Sequence, residues 1–208
     1  MSTIAAMTPD YWPVAKTHLA KKDRVLRKLI KAYPDAEIQS RGDAFQSLAR
    51  AIVGQQISVK AAQSVWRRFA EAAGNVDPAT VVRMETEILR GCGFSGQKAT
   101  YVRDLARHFH EGLVRPRRWK RMEDEAVIED LVRVKGIGRW SAEMFLMFHM
   151  LRPDVLPVDD LGLRRAMERQ YNGGDELTRD EMRAIGAPWA PWRSVATWYL
   201  WRSLEPTA

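Results

Sequence analysis

The sequence has a single cysteine, Cys92, among its 208 residues. One thiol excludes an intramolecular disulfide and a four-cysteine zinc or iron–sulfur site built within this chain. We therefore expect a reducing, intracellular environment and no iron–sulfur cluster. The four histidines offer no metal-binding set either, because His108 and His110 are two apart on a predicted helix and so face apart.

Long apolar runs are also missing. The longest, Met144 to Leu151, is interrupted by His149 and is far shorter than the ~20 residues that a membrane span needs. The start of the chain has no signal-peptide pattern, so we expect no membrane partner. Sustained period-two alternation, internal repeats and Gly/Ser-rich linkers are absent too, which argues against sheet and repeat architectures.

What the sequence does have is positive charge and tryptophan. Lys and Arg number 33 against 26 Asp and Glu, which leaves a net charge of +7, and there are eight Trp residues. Such an excess suits a polyanionic partner, although net charge speaks to association and not to fold. The one dense basic stretch, residues 115–121, contains Pro116 and is predicted to be a loop. It would hold phosphate, serve as a nuclear address or simply be solvated.

Apolar residues recur with helical spacing from end to end, which predicts an all-α fold with short connections. Side chains that cap helices predict where several of them begin. These are Thr8 before Pro9, Asp43, Ser58, Asp77, Ser95, Asp159 and Thr178, the last forming a capping box with Glu181. Further helices are predicted over residues 139–151, 161–171 and about 192–204.

Gly136 and Gly138 lie between two amphipathic helices and predict a tight reversal. A helix that restarts at Gly138 directs unpaired N–H groups and the positive end of its dipole outward, where a phosphate oxygen is a good ligand. Lys135 and Arg139 flank the turn and would add attraction. The alternative is a plain helix–helix turn, because Gly-x-Gly is common.

The wider segment 131–142 resembles the hairpin of the helix-hairpin-helix DNA glycosylases. Residues 51–58 are similar to the minor-groove wedge loop of that family, and residues 93–101 to its linking helix. Residues 189–201 are similar to the C-terminal helix of its alkylation-repair branch, 3-methyladenine DNA glycosylase II. The resemblance implies a two-lobed helical fold with the active site in the cleft between lobes. It assigns about residues 43–158 to a middle lobe, and about residues 1–35 with 159–208 to a second lobe.

The resemblance also implies a catalytic aspartate. In the superfamily a Gly/Pro-rich loop and an aspartate follow the hairpin, and Asp160 stands at the matching spacing. Departure of a base leaves oxocarbenium character on the sugar, and a fixed carboxylate stabilises that charge. It would equally orient or deprotonate the attacking water, and the sequence leaves these two roles open.

Other matched residues receive roles in binding. Gln56 stands where some relatives have the leucine that fills the space of an everted nucleotide, with Ser58 next to the groove floor; the alternative is a solvated helix end. Trp140, Met144 and Trp201 match positions of the base pocket, where indole rings bind a cationic base. The alternative for the tryptophans is core packing.

The predicted activity is monofunctional excision of alkylated purines such as 3-methyladenine or 7-methylguanine from double-stranded DNA. Bifunctional relatives have a lysine where this chain has Trp140, and tryptophan cannot form a Schiff base. We expect no required cofactor and a monomer, in the cytoplasm or nucleoid of a bacterium or the nucleus of a eukaryote. By resemblance, a structural Na⁺ or K⁺ would bind the backbone carbonyls of Val132, Val134 and Ile137. The alternatives are a non-catalytic DNA-binding protein and a glycosylase for uracil or another neutral lesion.

Overall fold

Short polar side chains begin many helices in the computed structural model, which describes residues 8–40 and 43–205. Asp43, Ser58 and Ser95 each accept a hydrogen bond from the backbone N–H three residues further on. Thr178 and Glu181 form the reciprocal capping box that their spacing predicts. No strand occurs in this part of the chain, so the all-α prediction is confirmed.

The α-helices are α1 (Trp12–Lys22), α2 (Arg24–Ala32), α3 (Ala44–Gly54), α4 (Val59–Ala73), α5 (Pro78–Val81), α6 (Thr86–Gly91), α7 (Gly96–His110), α8 (Pro116–Trp119), α9 (Asp124–Val132), α10 (Arg139–Phe148), α11 (Leu161–Tyr171), α12 (Arg179–Gly186) and α13 (Arg193–Arg202). A 3-10 turn, Ala187–Trp189, lies between α12 and α13.

The predicted start of the first helix at Thr8 and Pro9 is wrong. Helix α1 begins at Trp12, after Tyr11, and Pro13 is the proline of its first turn. Thr8 instead donates its hydroxyl hydrogen to Glu37. A capping pattern is local, and here a partner distant in sequence competes for the side chain that the pattern uses.

The prediction that the basic stretch 115–121 is a loop is wrong for part of it, because α8 lies within this stretch. Pro116 occupies the first turn of α8, where a missing N–H costs nothing because that group has no intrahelical partner. Trp119 ends the turn and is buried, with its ring edge-on to Phe109 and Phe145. Burial of this ring explains why the segment orders as a short helix.

Helix α10 ends at Phe148, before the predicted end at Leu151. Leu151 adopts a left-handed backbone with φ of 54°, and the N–H of Arg152 donates to the carbonyl of Leu146. The left-handed residue and this hydrogen bond reverse the chain before the predicted end of the helix.

The chain divides into two compact units. The terminal unit comprises Met1–Ser40 and Leu146–Ala208, and the middle unit comprises Arg41–Phe145. The predicted middle lobe of about residues 43–158 starts near the start of the middle unit and extends past its end.

In the terminal unit, α13 packs against α1, α2 and α11 around a core that contains Trp12, Trp189 and Tyr199. Asp23 ties this unit together, because its second carboxylate oxygen accepts hydrogen bonds from Tyr171 and Trp189. Both bonds measure 2.9 Å. The start of α13 also binds the segment before α11, because Arg193 pairs with Asp154 and the hydroxyl oxygen of Ser194 accepts the N–H of Val155.

In the middle unit, α3, α5 and α6 pack on α7, and α4 packs on α3. Phe69, Leu48 and Leu105 are fully buried at the centre of these contacts. Helix α7 is therefore the central element of this unit, and it supports the loop between α3 and α4 and the hairpin between α9 and α10.

Candidate active site

The hairpin between α9 and α10 requires glycine at its centre. Gly136 has a φ of +82°, a backbone conformation that residues other than glycine rarely adopt. A Cβ atom at this position would lie 2.1 Å from Cδ2 of Tyr101. The tight turn and the close approach of the Tyr101 ring both explain this residue, as the Gly-x-Gly pattern predicts.

Asp104 on α7 binds the hairpin through a hydrogen bond. Its Oδ2 accepts a hydrogen bond from the backbone N–H of Lys135 at 2.9 Å, and its Oδ1 pairs with Arg107. Burial would raise the pKa of the Asp104 carboxyl, but the hydrogen bonds from Lys135 and Arg107 outweigh it and lower that pKa. The sequence does not indicate a role for this aspartate, because the partner Lys135 is distant along the chain.

The three carbonyls predicted to bind a monovalent cation belong to the same hairpin. Val134 and Ile137 are buried side chains, and the N–H of Ile137 donates to the carbonyl of Val134 at 3.1 Å. Backbone carbonyl oxygens are ligands that coordinate Na⁺ and K⁺. The donor set, which includes Val132, fits such an ion, and the site stays a prediction.

The two cations that flank the hairpin differ in their surroundings. Lys135 is exposed. Arg139 forms a two-point ion pair with Glu125 at 2.6 and 2.8 Å and also donates to Glu143. The hydrogen bond to Glu125 raises the pKa of Arg139. The positive charge of Arg139 is therefore largely compensated within the chain.

The loop between α3 and α4, residues 55–58, presents Gln56. This residue is exposed and has a φ of 56°, in the left-handed region where a residue other than glycine is strained. Ser58 caps α4 through a hydrogen bond from Ala61 at 3.2 Å, as predicted. Residues 55–58, hereafter the wedge loop, thus end one helix, expose one amide side chain and begin the next helix.

The wedge loop and the hairpin share a cavity of about 470 Å³ within the middle unit. Gln55 and Gln56 line it from the wedge loop, Lys98 lines it from α7, and residues 132–138 complete it. The structure thus brings Gln56, Lys135, Gly136 and Gly138 around one space, whereas Ser58 and Arg139 do not line it.

Asp160 is the N-cap of α11. Its Oδ1 accepts hydrogen bonds from the backbone N–H of Leu163 at 2.6 Å and from the indole N–H of Trp201 at 2.8 Å. Gly162 leaves room for this arrangement, because a Cβ there would lie 3.1 Å from the same oxygen. The carboxylate is fixed by two donors beside the positive end of a helix dipole.

The prediction that Asp159 caps α11 is wrong. Asp159 forms an ion pair with Arg179 at the start of α12, and Asp160 is the residue that caps. Two adjacent side chains point in different directions, so only one of them reaches the N–H groups of α11. Sequence alone does not say which one.

Asp160 lines a cavity of about 650 Å³ within the terminal unit. Asp159, Arg164 and Arg179 line it as well. This volume lies within the range of pockets that admit small organic molecules. Asp160 therefore lines a space of this size, whereas the predicted pocket residues Trp140, Met144 and Trp201 do not line it.

The predicted pocket residues fall into two groups. Trp201 belongs to the terminal unit, where it contacts Asp160 and stacks on Phe148 with ring centres 5.8 Å apart and planes 13° apart. Trp140 and Met144 belong to the middle unit and lie four residues apart, on one face of α10. Trp140 is 46% exposed, which is unusual for a core residue of its size.

Lys98 and Gln55 are functional candidates that the sequence analysis missed. Both line the cavity between the wedge loop and the hairpin. The available signal was a lysine within the inward stripe of α7, three residues before Tyr101 and seven before Leu105. A charge in such a stripe indicates a polar partner inside the unit.

No helix between residues 8 and 205, residues 41 and 42 aside, is long and apolar enough to cross a membrane. The same residues contain no group of three His, Cys, Asp or Glu side chains that could hold a metal ion.

Comparison with known proteins links this geometry to DNA repair. Residues 49–191 match the model of the HhH-GPD superfamily base excision DNA repair proteins. The chain is 32% identical over 196 residues to DNA-3-methyladenine glycosylase 1 of Schizosaccharomyces pombe, an alignment that covers 91% of this chain and 86% of the relative. It is 27% identical over 213 residues to DNA-3-methyladenine glycosylase 2 of Escherichia coli, covering 91% and 72%.

Solved structures give the same result. A Schizosaccharomyces pombe 3-methyladenine DNA glycosylase in complex with abasic DNA superposes with a TM-score of 0.80 at 31% identity, covering 94% of this chain and 98% of that one. A DNA-3-methyladenine glycosidase from Bacillus halodurans superposes with a TM-score of 0.82 at 35% identity, covering 96% and 92%. The family resemblance predicted from the sequence is confirmed.

Proposed function

Because the chain belongs to the HhH-GPD superfamily of base excision DNA repair proteins, we propose that it is a monofunctional DNA glycosylase for alkylated purines. Its substrate is double-stranded DNA that carries a base such as 3-methyladenine or 7-methylguanine. The observation that supports this function most is the carboxylate of Asp160, held by two hydrogen bonds at the wall of a cavity.

The reaction breaks the bond between C1′ of the sugar and the base nitrogen. The bonding electrons leave with the base, and positive charge develops on the sugar. We assign to Asp160 the stabilisation of this charge, because a preoriented carboxylate needs no reorganisation during the reaction. A water molecule then adds to C1′, and its proton passes to Asp160 or to solvent.

Alkylation makes the leaving base cationic, so it departs as a neutral molecule without a strong general acid. A cation also binds to the faces of indole rings, which is the role we assign to Trp140 and Trp201. Met144 is an adaptable neighbour on the face of α10 that carries Trp140. The tryptophan at position 140 provides no amine for a Schiff base, so the product is an intact strand with an abasic site.

The nucleotide must leave the base stack before this chemistry is possible. We assign Gln56 to the vacated space in the minor groove, where its amide can hydrogen-bond the base left unpaired, and Ser58 to the groove floor beside it. The backbone N–H groups at Gly136 and Gly138, with Lys135 and Arg139, bind phosphate. One wedge loop and one hairpin suffice for one lesion, so the functional form is a monomer.

No cofactor supplies chemistry in this scheme. A Na⁺ or K⁺ ion at the carbonyls of Val132, Val134 and Ile137 would stabilise the hairpin in its binding conformation. A DNA substrate places the protein inside the cell, in the nucleoid or the nucleus.

Release of free base from DNA tests the proposal. The purified chain is incubated with one duplex that carries methylated purines and one that carries uracil, and the released bases are separated by chromatography. We expect methylated purines to be released, and strands to break only after treatment with alkali. Release of uracil alone would establish a glycosylase for a neutral lesion, and binding without any release would establish a non-catalytic DNA-binding protein.

A further inference from the structure

The end of α3 leaves backbone carbonyls that the helix itself cannot satisfy. The ammonium group of Lys98, on the first turn of α7, donates to two of them. Its Nζ lies 2.8 Å from the carbonyl oxygen of Val53 and 2.6 Å from that of Gln55. A cation at a helix C-terminus also interacts favourably with the helix dipole. Lys98 therefore fixes the backbone on both sides of Gly54, directly before Gln56.

Gln55 links the same backbone to the hairpin. Its side-chain amide Nε2 donates a hydrogen bond to the carbonyl of Gly136 at 2.8 Å. Gly136 is also in contact with the ring of Tyr101, and the neighbouring N–H of Lys135 is bound to Asp104. One face of α7 thus contacts the wedge loop through its first turn and the hairpin through its second and third turns.

The backbone of Gln56 is strained, and the hydrogen bonds of Lys98 and Gln55 hold it in this conformation. A left-handed backbone at a residue other than glycine is strained and persists only where its surroundings impose it. The hydrogen bonds of Lys98 and Gln55 act on the residues immediately before Gln56. They leave the Gln56 side chain exposed.

We propose that Lys98 and Gln55 are positioning residues that hold the wedge loop at a fixed distance from the hairpin. Phosphate binding at the hairpin then places Gln56 at the correct step of the duplex. Neither residue touches the reacting atoms. The inference rests on the proposed function for the identity of the substrate, and it predicts that the pair matters only when a nucleotide must leave a duplex.

Lys98→Met and Gln55→Met test this assignment, because methionine keeps an unbranched chain and removes the donors. The rate of base release under single-turnover conditions is measured on methylated duplex and on the same methylated strand without its complement. Misplacement by about 1 Å can cost ~100-fold in rate, so we expect a loss of roughly 10- to 100-fold on the duplex. On the single strand, which has no base pair to open, we expect rates within about twofold of the wild type.

Lys28→Met is the matched control, since it removes one exposed positive charge from α2 in the terminal unit. It should leave the ratio of the two rates unchanged. Gln55→Met removes a single hydrogen bond, so it remains informative if Lys98→Met does not fold. Equal losses on both substrates, or no loss on either, would overturn the assignment.

A second readout separates this inference from the proposed function. A duplex with an abasic-site analogue beside 2-aminopurine reports insertion of the wedge by fluorescence and needs no chemistry. We expect the wild type and Lys28→Met to raise the fluorescence, and Lys98→Met and Gln55→Met to fail to do so at saturating protein. If the wild type releases no base, the proposed function fails, and this signal still decides the positioning role. Wild-type signals from both variants would refute that role.

Discussion

At the scale of single residues, Asp160 caps a helix and, in the proposed function, also stabilises positive charge on the sugar; substitution can separate these two tasks. Its Oδ1 caps α11 and accepts the indole N–H of Trp201, and both bonds need only an acceptor. Stabilising a positive charge on a sugar needs the negative charge as well. An amide in this position would therefore preserve the fold and remove the chemistry.

Trp201→Phe tests the contribution of the indole N–H. Phenylalanine keeps an aromatic ring against Phe148 but cannot donate to Asp160, so the carboxylate loses the hydrogen bond from the indole. Hydrogen bonds to charged groups contribute about 1.5–3 kcal/mol, and we expect base release to slow by roughly 10-fold or more. Single-turnover rates on methylated duplex measure this effect.

The matched control for that variant is Trp198→Phe. Trp198 packs edge-on against Trp201, and among the described residues its buried indole N–H has no hydrogen-bond partner. The same chemical change at this site removes no bond to the carboxylate and should cost far less activity. Equal losses in the two variants would show that ring packing, and not the hydrogen bond to Asp160, accounts for the effect.

Glu125→Gln tests whether the ion pair of Arg139 competes with DNA. The pair is about half exposed, and exposed pairs contribute ~1 kcal/mol or less, so a phosphate can replace Glu125. We expect the variant to bind undamaged duplex about 2- to 5-fold more tightly. The dependence of log affinity on log salt should steepen by about one unit. Fluorescence anisotropy titrations at several salt concentrations measure both.

Glu129→Gln controls for net charge, because it makes the same change at an exposed site on the same helix, α9. Arg139 retains its hydrogen bond to Glu143 in both proteins. If the two variants gain equal affinity, only net charge matters, and Arg139 has no special part in binding phosphate.

At the scale of elements, helix α7 supports the hairpin between α9 and α10. Asp104 on this helix is buried and accepts the N–H of Lys135, and the same carboxylate faces Arg107 and His108. Its loss would take the acceptor from the N–H of Lys135 and remove one partner of Arg107, which keeps its ion pair with Glu111. The stability of the hairpin should therefore depend on the charge of one carboxylate.

Asp104→Asn should lower the free energy of unfolding at neutral pH by about 1–3 kcal/mol. The pKa of Asp104 is lowered in the folded state, so its stabilisation is complete above the ordinary value of 3.8 and is lost as pH falls through the folded value. The difference in the free energy of unfolding between wild type and variant should therefore begin to shrink only when the pH falls below 3.8. Urea unfolding between pH 3 and 7 measures the gap.

Asp180→Asn is the control, since Asp180 pairs with Arg183 at a side chain that is 93% exposed. Such a pair should change stability by less than about 1 kcal/mol at any pH. A gap for Asp104→Asn that is absent at neutral pH, or that persists unchanged in acid, would contradict the role of its charge.

How far the sequence predicts these elements depends on the range of the interactions. Caps at Asp43, Ser58 and Thr178 were predictable because a cap involves residues three apart. Thr8 was not, because its partner Glu37 is 29 residues away. The same reason separates the site residues: the family pattern indicated Asp160, whereas the partners of Lys98 lie 43 and 45 residues away.

The choice between adjacent aspartates shows a second limit. Which of Asp159 and Asp160 caps α11 depends on side-chain directions that a residue pattern does not contain. The structure gives the cap to Asp160 and the ion pair with Arg179 to Asp159. Physical chemistry of the residues predicts that an acid caps this helix, and only the folded backbone selects it.

At the scale of the whole molecule, a basic chain meets a polyanion. The net charge of +7 attracts DNA of any sequence, and counterion release makes that attraction dependent on salt. Excision needs in addition a carboxylate that affinity does not require. Binding and base release should therefore be separable in the intact protein.

Base release by Asp160→Asn, compared with Asp159→Asn in the full chain, tests whether the negative charge of Asp160 is needed for excision. Asparagine keeps an acceptor for Leu163 and Trp201, so folding and duplex affinity should be retained. We expect Asp160→Asn to release methylated purines at least ~100-fold more slowly, since loss of electrostatic stabilisation costs about 10²–10³ in rate. Asp159→Asn loses only an exposed ion pair and should remain within about fivefold of the wild type. Undiminished release by Asp160→Asn, or a larger loss in Asp159→Asn, would contradict the account.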